Sequence, residues 1–147
     1  MYADWGVNAL VVAATALAVS LCVLLHYEGL LWLSGRLRRM AGPRRRRVLI
    51  GVYALLLFHV AEICLFGLVI FALMHVPGAG SVHGVEHLLL DSIYLSATSY
   101  TTVGFGDLAP VGPLRILVAT ESLAGLLLIG WSASFTYIEM ETFWRRH

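Results

Sequence analysis

Apolar residues in this chain gather in long runs, rather than in the short alternations of a half-buried sheet. Val7–Leu25 is a predominantly apolar stretch of 19 residues. At about 1.5 Å per residue, a helix of that length nearly crosses a hydrocarbon core of ~30 Å. A cleaved leader is the competing reading. Against it, Asp4 stands where a basic region belongs, and the run exceeds the usual ~7–15 apolar residues. A second run, Val48 to about Val76, is broken only by His59, Glu62 and Cys64, and Pro77-Gly78-Ala79-Gly80-Ser81 ends it. A third, Leu114 to about Tyr137, contains Glu121 and starts just after Pro113, a favourable first helical residue. Between these two lies Leu88–Tyr100, apolar but too short to cross, with Ser and Thr thickening toward its end. Irregular backbone at membrane depth is tolerated only where protein buries it or where it lines a cavity. The pattern therefore predicts an all-α membrane protein with three transmembrane helices, plus a short re-entrant helix and loop between the second and third.

Composition agrees: 59% of the 147 residues are hydrophobic, only 13% are charged, and the mean hydropathy is +0.82. Soluble domains carry about 25% charged residues. The net charge of +1 hides an asymmetry, because there is no lysine and nine of the ten arginines fall within Arg36–Arg47 or at Arg145-Arg146. Such clusters mark the cytoplasmic face and give no reason to expect nucleic acid as a partner. They predict an outside N-terminus, an inside Arg36–Arg47 loop, an outside Gly-rich loop and a cytoplasmic C-terminus, in a plasma (inner) membrane. Arg44–Arg47 can hold anionic lipid headgroups. Between the first run and that loop, Gly29–Met40 mixes leucines with Arg36, Arg38 and Arg39. It reads equally as a helix lying in the headgroup region and as an extension of the first span. Cys22 and Cys64, both inside apolar runs, read as small fillers rather than a disulfide pair.

The most informative stretch is Thr101-Thr102-Val103-Gly104-Phe105-Gly106-Asp107. Rings of backbone carbonyls can replace an ion's hydration shell, and glycine reaches the backbone conformations that aim successive carbonyls at one axis. The spacing Gly104-x-Gly106-x-x-Ala109 also fits a relaxed dinucleotide fingerprint, which needs a helix opening within it. Pro110-Val111-Gly112-Pro113 prevents that. With Ser99-Tyr100 before it and Leu108-Ala109-Pro110 after it, the segment resembles the potassium-channel pore family, whose usual signature is T-V-G-Y-G-D with Phe an accepted replacement for Tyr.

The resemblance implies a pore domain over residues 48–147, with an outer helix at 48–76, a pore helix at 88–101, a filter at 102–107 and an inner helix at 113–140. Residues 1–47 would add an N-terminal span and a basic linker. Thr102, Val103, Gly104 and Phe105 match the positions that coordinate K⁺, and Gly106 closes the filter strand. Val103 and Phe105 would pack the loop from behind. Thr101, Asp107, Tyr94 and Thr98 would support the filter. Tyr94 is the nearest aromatic partner for Asp107, and Thr98 stands where some members place a glutamate. Gly125 falls at a hinge position of the inner helix, although close helix packing explains small residues there and at Gly130 equally well. One filter segment per chain implies a homotetramer, three identical subunits joining this one, with K⁺ as the permeant ion and no cofactor. The first span lacks an arginine repeat, so a voltage sensor of the usual kind is not expected.

His59, Glu62 and Glu121 sit inside apolar runs, where ionisable groups are expensive and usually functional. They are expected to form one buried polar cluster bracing the filter from behind. As a metal site, His59 and Glu62 supply two ligands where zinc takes at least three from protein. A membrane-embedded enzyme built on these three residues is the remote alternative, lacking an accompanying nucleophile, and no enzyme is expected. A non-selective cation pore of the same architecture is the nearer rival. His83 and His87, in the outer segment, are either a pH sensor or two solvated side chains.

Overall fold

The computed structural model describes residues 4–144; Arg145 and Arg146, expected on the basic side, lie outside them. In chain order the elements are α1 (Trp5–Arg39), α2 (Arg44–Met74), β1 (Ser81–His83), α3 (Leu88–Tyr100), β2 (Ala109–Val111) and α4 (Leu114–Trp144). Three helices, α1, α2 and α4, are long and apolar enough to cross a membrane. The protein is an all-α membrane protein.

Asp4 caps α1, its carboxylate accepting from the backbone N–H of Gly6 at 2.9 Å and of Val7 at 3.3 Å, two donors that a helix start leaves without partners. The helix then runs 35 residues without interruption, about 50 Å. Gly29–Met40 is thus an extension of the first span, and the separate headgroup helix is not formed. Packing explains the choice: Leu30, Leu33 and Leu37 are buried against Leu55 of α2. Gly29 allows this approach, since a Cβ there would lie 2.9 Å from the Phe58 ring. Pro43 separates α1 from α2 and supplies the extended residue before the second helix.

The three spans alternate in direction. Gly78, beyond the end of α2, faces Val7 at the start of α1. At the opposite end, the Ser34 hydroxyl of α1 donates to Glu139 of α4 at 3.4 Å. The Arg36–Arg47 segment and the end of α4 therefore share one face, and the loop after α2 occupies the other.

Helix α3 wedges between α2 and α4. Gly67 lets it come close, because a Cβ there would sit 2.8 Å from the Ile93 Cα. The Ser96 hydroxyl donates to the Ile63 carbonyl at 2.8 Å across the same contact. The core at this junction includes Cys22, Phe66, Tyr100 and Leu117, all fully buried. Both cysteines are free thiols.

Strands were not expected in the outer segment, yet β1 and β2 pair antiparallel with Val82 opposite Pro110. The Leu114 N–H adds a bond to the Ala79 carbonyl at 2.9 Å. Gly80 has a φ of +127°, and a Cβ there would collide with the Val111 carbonyl oxygen. This clip ties the loop leaving Asp107 to the end of α2, so the backbone between α3 and α4 is held at both ends.

Candidate functional site

The loop Thr102–Asp107 begins where α3 stops. Its first turns are fastened to the helix end: Thr102 N–H donates to the Ser99 carbonyl at 2.9 Å, and Gly104 N–H to the Thr98 carbonyl at 3.0 Å. The Thr101 hydroxyl donates to the Ala97 carbonyl at 2.7 Å. Thr98 is buried, its hydroxyl turned onto the Leu95 carbonyl at 3.0 Å.

Positive φ recurs at every second residue: Thr102 at 60°, Gly104 at 50° and Gly106 at 81°, but not at Val103 or Phe105. A uniformly extended strand points its carbonyls alternately to either side. Reversing the sign of φ at alternate residues turns successive carbonyls toward the same side, the arrangement a dehydrating ring of oxygens needs. Gly104 and Gly106 take these values at little steric cost. Thr102 is the one non-glycine residue at positive φ among the described residues, at a cost of about 1–2 kcal/mol.

Along its whole length the loop is exposed in the single chain. Phe105 is 72% exposed and Val103 55% exposed. Within the single chain both side chains stand largely uncovered. A Cβ at Gly104 or Gly106 would meet nothing within 4 Å, so conformation rather than crowding within the chain accounts for both glycines. Asp107 reaches back to α3, where the Tyr94 hydroxyl donates to its carboxylate and the phenol pKa is raised by that bond. At the other end of α3, Asp91 accepts from the backbone N–H groups of His87 and Glu86, both at 2.7 Å. Those bonds hold its pKa below the ordinary aspartate value. His83 and His87 are both exposed.

Behind the loop, the expected cluster of His59, Glu62 and Glu121 divides in two. His59 and Glu62 belong to a ring that sequence reasoning only half anticipated. His26 Nδ1 of α1 lies 2.9 Å from Glu62 Oε1, and the Tyr100 hydroxyl of α3 donates to Glu62 Oε2. His59 Nδ1 lies 2.9 Å from the Tyr100 hydroxyl and 3.1 Å from Glu62 Oε2. The Ser132 hydroxyl of α4 closes the circuit, 2.9 Å from His59 Nε2 and 3.3 Å from His26 Nε2. His26, Glu62 and Tyr100 are completely buried.

Protons can be counted around this ring. Five links join His26, Glu62, Tyr100, His59 and Ser132 in turn, and each link needs one proton. Two neutral imidazoles, a tyrosine and a serine bring four. The ring closes fully with one more, which also cancels the carboxylate charge. A closed, neutral circuit is how these groups can sit at membrane depth, where an unpaired charge costs several kcal/mol. It joins all four helices directly behind Tyr100, two residues before Thr102.

Glu121 stands apart, against Ser96 of α3. Ser96 gives its single hydroxyl proton to Ile63, so the Ser96–Glu121 contact is satisfied when Glu121 is the donor, in its acid form. Glu121 Oε2 is buried without a protein partner. The two carboxylates on α2 and α4 therefore serve different contacts with α3. Separation follows from register, because α4 meets the His59 level at Ser132, eleven residues beyond Glu121.

Gly125 is a packing glycine in this structure. Helix α4 continues unbroken through it, and a Cβ there would collide with the Tyr100 carbonyl oxygen. No such contact exists at Gly130, where a Cβ would meet nothing within 4 Å.

The profile of the ion channel family matches residues 48–142, well over half of the chain. The match runs from α2 into the end of α4 and leaves α1 outside it. No curated protein and no solved structure matches the chain. With its three membrane-crossing helices, its short helix between the second and third, and the loop that follows, this chain belongs to the ion channel family.

Proposed function

We propose that this protein is a K⁺-selective channel subunit that conducts passively as a homotetramer. The observation that carries the reading is the alternation of positive φ at Thr102, Gly104 and Gly106 on a loop its own chain leaves exposed. One such loop offers a single column of oxygens, and a ring that replaces water around an ion needs several columns about an axis. Cyclic symmetry with four copies supplies them. The backbone carbonyls of Thr102, Val103, Gly104 and Phe105 line the axis, and the Thr102 hydroxyl adds oxygens at the inner end. Neighbouring subunits cover Val103 and Phe105.

Helix α3 adds an electrostatic contribution. Its C-terminal end at Tyr100 carries partial negative charge and aims it at the space beneath the filter, favouring a cation there. The Asp107–Tyr94 contact holds the outer end of the loop against the same helix. The arginine-rich segment faces the cytoplasm by the positive-inside rule and holds anionic lipid at Arg44–Arg47; the N-terminus lies outside, in a plasma (inner) membrane.

Uptake of Rb⁺ into proteoliposomes against trapped K⁺ tests the reading. Uptake that external K⁺ competes away and external Na⁺ does not is the expected result. Equal competition by Na⁺ would instead indicate a non-selective cation pore on the same architecture.

A further inference from the structure

We propose that His26, His59 and Glu62 form a binding site for one divalent transition-metal ion of the zinc class per chain. One ligand atom from each lies within 4.8 Å of the other two. Zinc ligands lie about 2.0–2.1 Å from the ion, which sets neighbouring ligands about 3.4 Å apart in a tetrahedron. Each Nδ1 already lies 2.9 or 3.1 Å from a Glu62 oxygen, so the remaining separations need to close by about 1.4 Å at most, within reach of side-chain rotation. His59 and Glu62 alone offered too few ligands; the third comes from α1, the helix outside the family match.

Ser132 supplies the outer shell. Both Nε2 atoms face its one hydroxyl, at 2.9 and 3.3 Å, and a serine oxygen can accept two N–H bonds. When it does, both imidazoles carry their proton on Nε2, leaving both Nδ1 lone pairs directed at the Glu62 carboxylate. Fixing the tautomer through the distal nitrogen is how proteins commonly prepare histidine ligands. The Tyr100 hydroxyl, 2.9 Å from His59 Nδ1, faces the fourth position. His26 and Glu62 are shielded completely, and His59 keeps 15% of its side chain exposed, so an ion enters from the His59 side. Bound there, the ion fastens α1 to α2 immediately behind the residue that leads into the Thr102–Asp107 loop. The site does not depend on which ion the pore selects.

The test uses untagged full-length protein in lipid nanodiscs, stripped with chelator, in a His75→Ala/His83→Ala/His87→Ala background that removes the exposed outer histidines. Equilibrium dialysis against Zn²⁺ should return about one ion per chain, and Co²⁺ should give the intense visible absorption of a tetrahedral site. His26→Ala should weaken binding at least tenfold, His26→Cys should restore it with a sulfur-ligand absorption, and Ser132→Ala should weaken it by about 10-fold or more. Should His26→Ala fail to assemble, the cysteine and serine variants decide the matter alone. Absence of Co²⁺ absorption, or absorption indifferent to His26→Cys and Ser132→Ala, would overturn the proposal.

Discussion

The polar ring and the Thr102–Asp107 loop are near neighbours in the chain, yet one is enclosed within it and the other is exposed. Around the ring, every nitrogen and hydroxyl of His26, His59, Tyr100 and Ser132 has a partner. In the loop, Phe105 and Val103 stand exposed. Buried polar groups left unpaired cost about 1–3 kcal/mol each, so a membrane subunit has to satisfy its interior by itself as it folds. An exposed apolar loop on a satisfied scaffold can wait for neighbours. The contrast separates residues whose loss should unfold the subunit from residues whose loss should spare the fold and remove the function.

Gly104→Asp should break the comparison most visibly. No atom crowds the added Cβ within the chain, so helicity and subunit stability should persist. The positive φ at this position is nevertheless adopted cheaply only by glycine, and a carboxylate would intrude on the carbonyl column. Rb⁺ uptake should fall to background while the circular dichroism spectrum is unchanged. Glu62→Ala should do the reverse, removing the ring's acceptor and leaving its partners buried, a loss of about 3–5 kcal/mol read as a drop in thermal midpoint in detergent. Gly125→Ala should cost about 1–3 kcal/mol, since α4 must move off the Tyr100 carbonyl; an unchanged midpoint would revive the hinge reading of that glycine.

Smaller effects sharpen the distinction between the two carboxylates. Glu121→Gln should change the midpoint by less than about 1 kcal/mol, because an amide N–H can take over donation to Ser96. Glu62→Gln should cost more, since it replaces a carboxylate accepting from several donors. If Glu62→Gln leaves melting, conductance and selectivity untouched, the ring does not brace the filter. The smallest effect concerns Asp91. Its pKa is depressed by the His87 and Glu86 N–H bonds, so its contribution is present above the ordinary aspartate range and lost as pH falls through the depressed value. The acid-side decline of the thermal midpoint should be shallower in Asp91→Asn than in the parent.

Much of the fold was legible because a membrane makes hydrophobicity nearly a length measurement: apolar runs and arginine clusters mark the spans without knowledge of their neighbours. The filter-like segment was legible for a related reason, since its chemistry lies in consecutive residues. The ring was not. His26 stands 36 residues from Glu62, just beyond the apolar run Val7–Leu25. A signal did exist: Glu62 in an apolar span demands partners, and few ionisable groups elsewhere in the spans could serve. Tyr100 drew notice only as a flank of the Gly-rich segment, and nothing in its local pattern announced a hydroxyl aimed at α2. The β1–β2 clip was hidden because three residues, including Pro110, carry no strand periodicity. Gly125 and Gly67 owe their identity to what crosses them, which spacing along one helix does not reveal.

The central claim is that the Thr102–Gly106 carbonyls of assembled subunits strip water from K⁺ more favourably than from Na⁺. The reversal potential of single channels in a planar bilayer, with K⁺ alone on one side and Na⁺ alone on the other, measures this directly. The account predicts a potential displaced by many tens of millivolts in the direction that opposes K⁺ flow. A reversal near zero would contradict it.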